Sequence, residues 1–235
     1  MRKYRSFLFD LDNTLWDFDT NACSCITELM QERGLSVYAP DPDAFYALYK
    51  SFNDKLWISY EAGEITQSVL RARRFLESFE AIGIPNAAAV SGPFGEAYLE
   101  RMPSKTALKP HALELLTYLQ ARACKMALVT NGFMQVQHYK IRNSGLDAFF
   151  GNKVFISEEV GFHKPNPKIF RAAVTAINAK KSETLMVGDN FVNDIEGAQV
   201  FGIDQFYYNP HKTPCDGGPT YMSDDLLDVI PLVKQ

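Results

Sequence analysis

The sequence predicts an α/β protein: a doubly wound, Rossmann-like parallel sheet with a helical module inserted near its start. Three observations predict it. Short apolar runs alternate with helix-like segments through the second half of the chain. That alternation is missing between Asp17 and Glu100, where only helical periodicity is found. The 235 residues, 46% of them hydrophobic, exceed the ~100–150 residues of a usual domain and leave room for a core and an insert.

The candidate strands are Tyr4 to Phe9, Lys125 to Val129, Lys153 to Ile156, Thr184 to Val187 and Asp204 to Tyr208, each rich in β-branched, Leu or aromatic residues and bounded by turn residues. All but the first follow helix-like segments: His111 to Ala123, with Leu115, Leu116 and Leu119 on one face, Met134 to Asn143, Pro167 to Ile177 and Ile195 to Phe201. Strands separated by helices predict parallel pairing with both faces covered. In the insert, Asp41 before Pro42 reads as an N-cap, and Phe45, Leu48, Tyr49, Phe52, Leu56 and Tyr60 recur at three and four until Gly63. Thr66 caps a second helix carrying Val69, Ala72, Leu76 and Phe79, which Gly83 ends. Residues 1–16 and 101–235 are therefore read as the core and 17–100 as a helical cap of four or so helices, hinged near Leu15 to Phe18 and Arg101 to Lys105 and able to act as a lid. Asn209 to Thr220 reads as a surface loop before a short final helix.

Composition excludes several classes of function. The 24 basic and 28 acidic residues are interspersed, with no basic stripe for a nucleic-acid backbone. No stretch approaches the ~18 apolar residues of a membrane span, and only Ser6 to Phe9 separate the basic N-terminus from Asp10, against the ~7–15 apolar residues of a signal-peptide core. Four cysteines, Cys23, Cys25, Cys124 and Cys215, make no disulfide framework and suit a reducing, cytoplasmic setting. Cys23 and Cys25, two apart on a helix, diverge by ~200° and form no metal pair. His111, His138, His163 and His211 show no ligand spacing either.

In an open parallel sheet, ligands bind at the carboxyl ends of the strands. The residues following each candidate strand are thus a census of the site: Asp10-Leu11-Asp12-Asn13-Thr14, then Thr130-Asn131-Gly132, then His163-Lys164-Pro165, then Gly188-Asp189-Asn190 with Asn193-Asp194. Carboxylates gathered this closely repel one another and stay protonated unless a cation lies among them. An all-oxygen set without paired cysteine or histidine selects a hard ion, Mg²⁺. Lys164 and the Thr130 hydroxyl are superfluous for holding a metal but suit a phosphate dianion sharing it, which points to phosphoryl chemistry. A calcium loop over "DLDNTL" fails, because Leu15 stands where that loop needs glycine and Asn21 where it needs glutamate.

In their order and spacing, Asp10 to Thr14, Thr130-Asn131, Lys164 and Gly188-Asp189 through Asp194 resemble the four motifs of the haloacid-dehalogenase-like hydrolases over nearly the whole chain. The insert resembles the helical cap of the family's phosphatases, and "DNTLWDFDTNA" and "LWISYEAGEIT" look most like the bacterial pyrimidine nucleotidases. The resemblance implies that Asp10 attacks phosphorus to form an aspartyl-phosphate and that Asp12 protonates the leaving alcohol, then deprotonates the hydrolytic water. It implies Mg²⁺ bound by the Asp10 side chain, the Asp12 backbone carbonyl, Asp189 and Asp194, directly or through water, with phosphate held by Thr130, the Asn131 backbone and Lys164. For Asp194 a cap on the helix from Ile195 is the other reading.

The implied substrate is a small phosphate ester, a nucleoside 5′-monophosphate, taken by a monomer or homodimer without a polymeric partner. Trp16, Phe18 and Trp57 are the candidate substrate contacts, able to stack a base; Trp57 and Tyr60, adjoining the apolar stripe, fit packing inside the insert better, while Trp16 and Phe18 fit either reading equally. Arg71, Arg73 and Arg74 read as a solvated face. Rival functions are a sugar-phosphate phosphatase or phosphosugar mutase with the same catalytic residues, a phospho-acceptor regulatory domain, and a catalytically idle binding protein. The insert directly after Asp12 speaks against the regulatory domain, and the pair Asp10 and Asp12 against the idle one.

Overall fold

The computed structural model describes residues 3–234. The chain forms two compact units, one of residues up to Phe18 and from Thr106 onward, the other of Asp19–Lys105. After β1 (Ser6–Phe9) come the four helices α1 (Phe18–Glu32), α2 (Pro42–Glu61), α3 (Gln67–Ala81) and α4 (Ala87–Arg101). Capping defines their starts: the Asp41 carboxylate accepts from the Asp43 and Ala44 amides at 3.0 and 3.1 Å, and Thr66 Oγ1 accepts from Val69.

An aromatic core holds the helical unit. The Phe75 ring lies 4.9 Å from Tyr49, 4.9 Å from Phe94 and 5.2 Å from Tyr98, and Phe79 is 5.0 Å from Phe94. The inward face of α3 is Leu70, Arg74, Phe75, Ser78 and Phe79, so the expected stripe through Val69 and Ala72 is displaced around the helix. Arg74 is consequently buried and not solvated. Its guanidinium lies over the rings of Tyr98 and Phe75 at 4.9 and 5.4 Å, where its stem packs and its charge meets π-faces.

In the other unit α5 (Ala112–Ala121), β2 (Lys125–Thr130), α6 (Met134–Asn143), α7 (Asp147–Phe150), β3 (Val154–Ile156), α8 (Ser157–Val160), α9 (Pro167–Ala176), β4 (Thr184–Gly188), a π-helical turn (Phe191–Glu196), α10 (Gly197–Phe201), β5 (Asp204–Tyr208) and β6 (Tyr221–Ser223) follow one another. The strands form one parallel sheet in the order β3-β2-β1-β4-β5-β6. Buried Leu8, Ala127, Val129 and Met186 pack against Ile169, Phe170, Ala173 and Ala198. The order reverses between β1 and β4, so the crevice of such a sheet opens beyond their carboxyl ends.

Three sequence expectations are corrected. Tyr4 does not extend β1: its amide donates to the Leu232 carbonyl at 2.8 Å, pairing with the chain's last described turn. Strand β6 lies where only a loop and a helix are expected; a three-residue edge strand is too short to show alternation. The final helix is a 3₁₀ segment, Leu226–Leu232, opened by Asp225 accepting from the Leu227 amide.

Candidate active site

Strand β1 delivers Asp10 to the crevice with its amide bonded to the Val187 carbonyl at 3.0 Å. The chain then folds back on itself. Leu15 and Trp16 amides both donate to the Leu11 carbonyl, and Asn13, at φ 62°, supplies the left-handed residue that such a turn needs and that asparagine tolerates. This turn aims Asp10 and Asp12 differently and brings the buried Thr14 hydroxyl to Asp189 Oδ1 at 2.8 Å.

Asp10, Asp189 and Asp194 offer one carboxylate oxygen each within 4.8 Å of one another. Asp189 follows β4, and Asp194 reaches back from the π-helical turn. Gly188 makes that approach feasible, since a Cβ there would stand 2.3 Å from Asp194 Oδ2. The Asn190 amide donates to Asp194 Oδ2 at 3.1 Å, and the Asn190 side chain, accepting from the Asn193 amide, is the cap of the turn. Asp194 therefore does not cap a helix from Ile195: it lies within a turn already begun at Phe191, facing the carboxylate cluster.

Lys164 Nζ, 2% exposed, is 2.5 Å from Asp10 Oδ1 and 2.7 Å from Asp194 Oδ1. One lysine among three carboxylates leaves the cluster short of positive charge. Burial pushes the Asp10 carboxyl up to about 7, with Lys164 pulling down and Asp194 and Asp12 pushing up. Burial and then the Asp10 charge raise Asp189 as well. For Lys164, burial favours the neutral amine, but the Asp10 and Asp194 charges override it and hold the ammonium. The donor set is all oxygen, partly buried and starved of cation, which suits one hard divalent ion.

Asn131 has a part the sequence does not disclose. Its side chain clamps the Lys164 backbone from both sides, Oδ1 accepting from the amide at 2.8 Å and Nδ2 donating to the carbonyl at 2.9 Å. Strand β2 thereby fixes the lysine's loop. Thr130 Oγ1 accepts from Gln137 Nε2 at 2.7 Å and from the Gly132 amide at 3.4 Å, so its acceptor capacity is used and its proton is left for an anion.

Asp12 lies apart from the acid cluster. Lys140 Nζ donates to its Oδ1 at 2.7 Å and Gln137 Nε2 to its Oδ2 at 2.8 Å. Neither Lys140 nor Gln137 is among the residues read from sequence. The Lys140 ammonium lies 4.3 Å from the Trp16 ring centre and 5.2 Å from that of Phe18. Trp16 is fully buried, edge-on to Phe18, so it is not a substrate platform: its ring supports the chain's own lysine. Trp57, in the helical unit, is half-buried and meets Tyr60 edge-on at 5.6 Å, at the margin of that unit's aromatic core and not inside it.

The family model of haloacid dehalogenase-like hydrolases matches residues 4–202. This chain belongs to that family. Among curated relatives, the hydrolase is 33% identical to the pyrimidine 5′-nucleotidase PynA of Streptococcus pneumoniae, covering 97% of this chain and 95% of that protein. It is 31% identical to the pyrimidine 5′-nucleotidase YjjG of Escherichia coli, covering 97% and 96%. The magnesium-bound crystal structure of YfnB from Bacillus subtilis superposes with a TM-score of 0.84 at 29% identity, over 98% of this chain and 99% of that one. Among the described residues, the hydrolase has no helix long and apolar enough to cross a membrane.

Proposed function

We propose that this hydrolase is a Mg²⁺-dependent phosphomonoesterase acting on nucleoside 5′-monophosphates, pyrimidine nucleotides foremost, through an aspartyl-phosphate on Asp10. The observation that carries the reading is the group of three carboxylates within 4.8 Å of one another, in contact with one buried lysine. The same constellation without a phosphate to bind would have no use for Lys164 and a proton-bearing Thr130. Two curated pyrimidine 5′-nucleotidases related over nearly the full chain support the substrate class.

Asp10, Asp189 and Asp194, with the Asp12 carbonyl, would hold the metal, which when bound neutralises the acids and polarises a phosphate oxygen. The Asp10 carboxylate forms a bond to phosphorus as the bond to the leaving oxygen breaks, and Asp12 supplies that oxygen with a proton. Water then attacks phosphorus, its proton passing to Asp12 as the bond to Asp10 breaks. Thr130, the Asn131 amide and Lys164 hold phosphate oxygens throughout.

The test is phosphate release from pyrimidine and purine nucleotides and sugar phosphates, with Mg²⁺ and with EDTA, for the wild type and Asp10→Asn. Metal-dependent turnover of pyrimidine nucleotides that the variant lacks is expected. Turnover of sugar phosphates alone would refute the nucleotide assignment, and release that persists in Asp10→Asn would refute the mechanism.

A further inference from the structure

The proposed chemistry asks two things of Asp12, and its immediate surroundings bear on both. Its carboxyl must be held where it meets the leaving oxygen and then the attacking water. It must also be tolerated as an anion while the phosphoryl group, itself anionic, waits on Asp10. A carboxylate three residues past β1, on a turn, has no local means to do either.

Helix α6 supplies the means. It is a predominantly polar helix, MQVQHYKIRN, whose buried residues are Gln137, Lys140 and Ile141, so its inward stripe carries an amide and an ammonium. Both are nine-tenths or more buried, and each donates to a different oxygen of Asp12. An ionised carboxylate offers about four lone-pair positions, so two stay open for the proton that is to be moved. The ammonium is itself located by Trp16 and Phe18, four and six residues beyond Asp12, through their π-faces. Gln137 ties Asp12 to Thr130 through a single nitrogen, and Gly132 leaves it room: a Cβ there would stand 2.1 Å from Gln137 Nε2.

We propose that Lys140, assisted by Gln137, is a positioning residue for the proton-transfer step: it fixes the Asp12 carboxylate in place and compensates its charge during hydrolysis of the aspartyl-phosphate. The inference rests on the reading of Asp12 as acid and base. Lys140 acts through Asp12 and does not touch the substrate.

The experiment compares wild type, Lys140→Met, Asp12→Asn and the double variant, with melting temperature as the check on folding. Uridine 5′-monophosphate, whose alkoxide needs a proton to leave, is one substrate; p-nitrophenyl phosphate, whose leaving group needs none, is the other. Lys140→Met is expected to lower kcat on the nucleotide about 10- to 100-fold, the cost of a misplaced acid–base group, with KM within about 3-fold. With the aryl ester, first-turnover release of nitrophenolate should keep its rate while steady turnover slows, because only hydrolysis of the intermediate then needs Asp12. In the Asp12→Asn background, Lys140→Met should cost nothing further.

A loss that adds to that of Asp12→Asn, or a rise in KM alone, would mean that Lys140 contacts substrate and would overturn the inference. Equal slowing of first and later aryl turnovers would do the same by showing a general structural defect. If Asp12→Asn is impaired while Lys140→Met behaves as wild type, only this inference fails; if Asp12→Asn is fully active, the reading of Asp12 fails with it. Should Lys140→Met not fold, Gln137→Met, which removes the other donor, is expected to show the same split between first and later turnovers, and its absence there overturns the inference.

Discussion

Without a bound divalent cation this protein should lose stability as pH rises from ~4 to ~7. The Asp10 carboxyl is lifted from 3.8 to about 7, chiefly by burial. Below pH ~4 it is protonated both folded and unfolded and contributes nothing. Between ~4 and ~7 the folded state keeps a proton that the unfolded state gives up, so stability falls with pH, and above ~7 the penalty is complete. At ~1.4 kcal/mol per pH unit, the full penalty is about 4 kcal/mol. For a chain of this size that is a melting temperature lower by about 10 °C. Mg²⁺ bound there, as proposed, would take the place of the proton, so its stabilising effect should be small at pH 5 and large at pH 8.

Differential scanning calorimetry of EDTA-treated protein at pH 5, 6, 7 and 8, with and without Mg²⁺, reads the effect. Asp10→Asn serves as reference, because carboxylates such as Asp225 and Glu28, held low by their partners, stabilise in the opposite direction as pH rises. The wild type should fall relative to Asp10→Asn across this range. A wild type that tracks the variant at every pH, with no Mg²⁺ response at pH 8, would refute the cation-starved site.

Three further outcomes are expected. Asp10→Asn should reduce phosphate release at least about 10³-fold in a steady-state assay while remaining folded by circular dichroism, since it keeps shape and loses the proposed nucleophile. Gly188→Ala, placing a Cβ 2.3 Å from Asp194 Oδ2, should cost about 1–3 kcal/mol in urea unfolding and weaken the Mg²⁺ response, because Asp194 must move out of the cluster. Phe75→Ala, removing the ring at the centre of the helical unit's aromatic core, should cost about 3–5 kcal/mol by the same method.

Asp10 and Asp189 are legible in the sequence for a topological reason, each following the last residue of a strand. Parallel strands present their carboxyl ends at one edge of the sheet, so a residue's place just after a strand already predicts where it lies in space. Lys140 and Gln137 have no such address. They are in mid-helix, and what assigns them to Asp12 is the face α6 turns inward, which depends on a partner more than a hundred residues away. A faint signal exists: at three and four, Gln137, Lys140 and Ile141 form an inward stripe that carries a charge. Arg74 was misread for the same reason, a charged residue on the buried stripe of α3 being assigned to solvent. Edge strand β6 was missed through brevity alone.

Those two buried cations make different predictions, and the contrast tests whether partner chemistry or burial decides. Lys140 faces a carboxylate, so Lys140→Met strands Asp12 beside an apolar group; with the Asp12 side chain 28% exposed, water recovers part of the loss and about 1–3 kcal/mol is expected. Arg74 has aromatic faces, while its Nε and Nη2 have no hydrogen-bond partner among the described residues. Arg74→Met gives up a cation–π contact of ~2 kcal/mol and removes two unsatisfied buried donors worth about as much, so stability should change by less than about 1 kcal/mol. Urea midpoints of the two variants measure both. Equal losses would mean that burial of charge, regardless of what it faces, sets the cost.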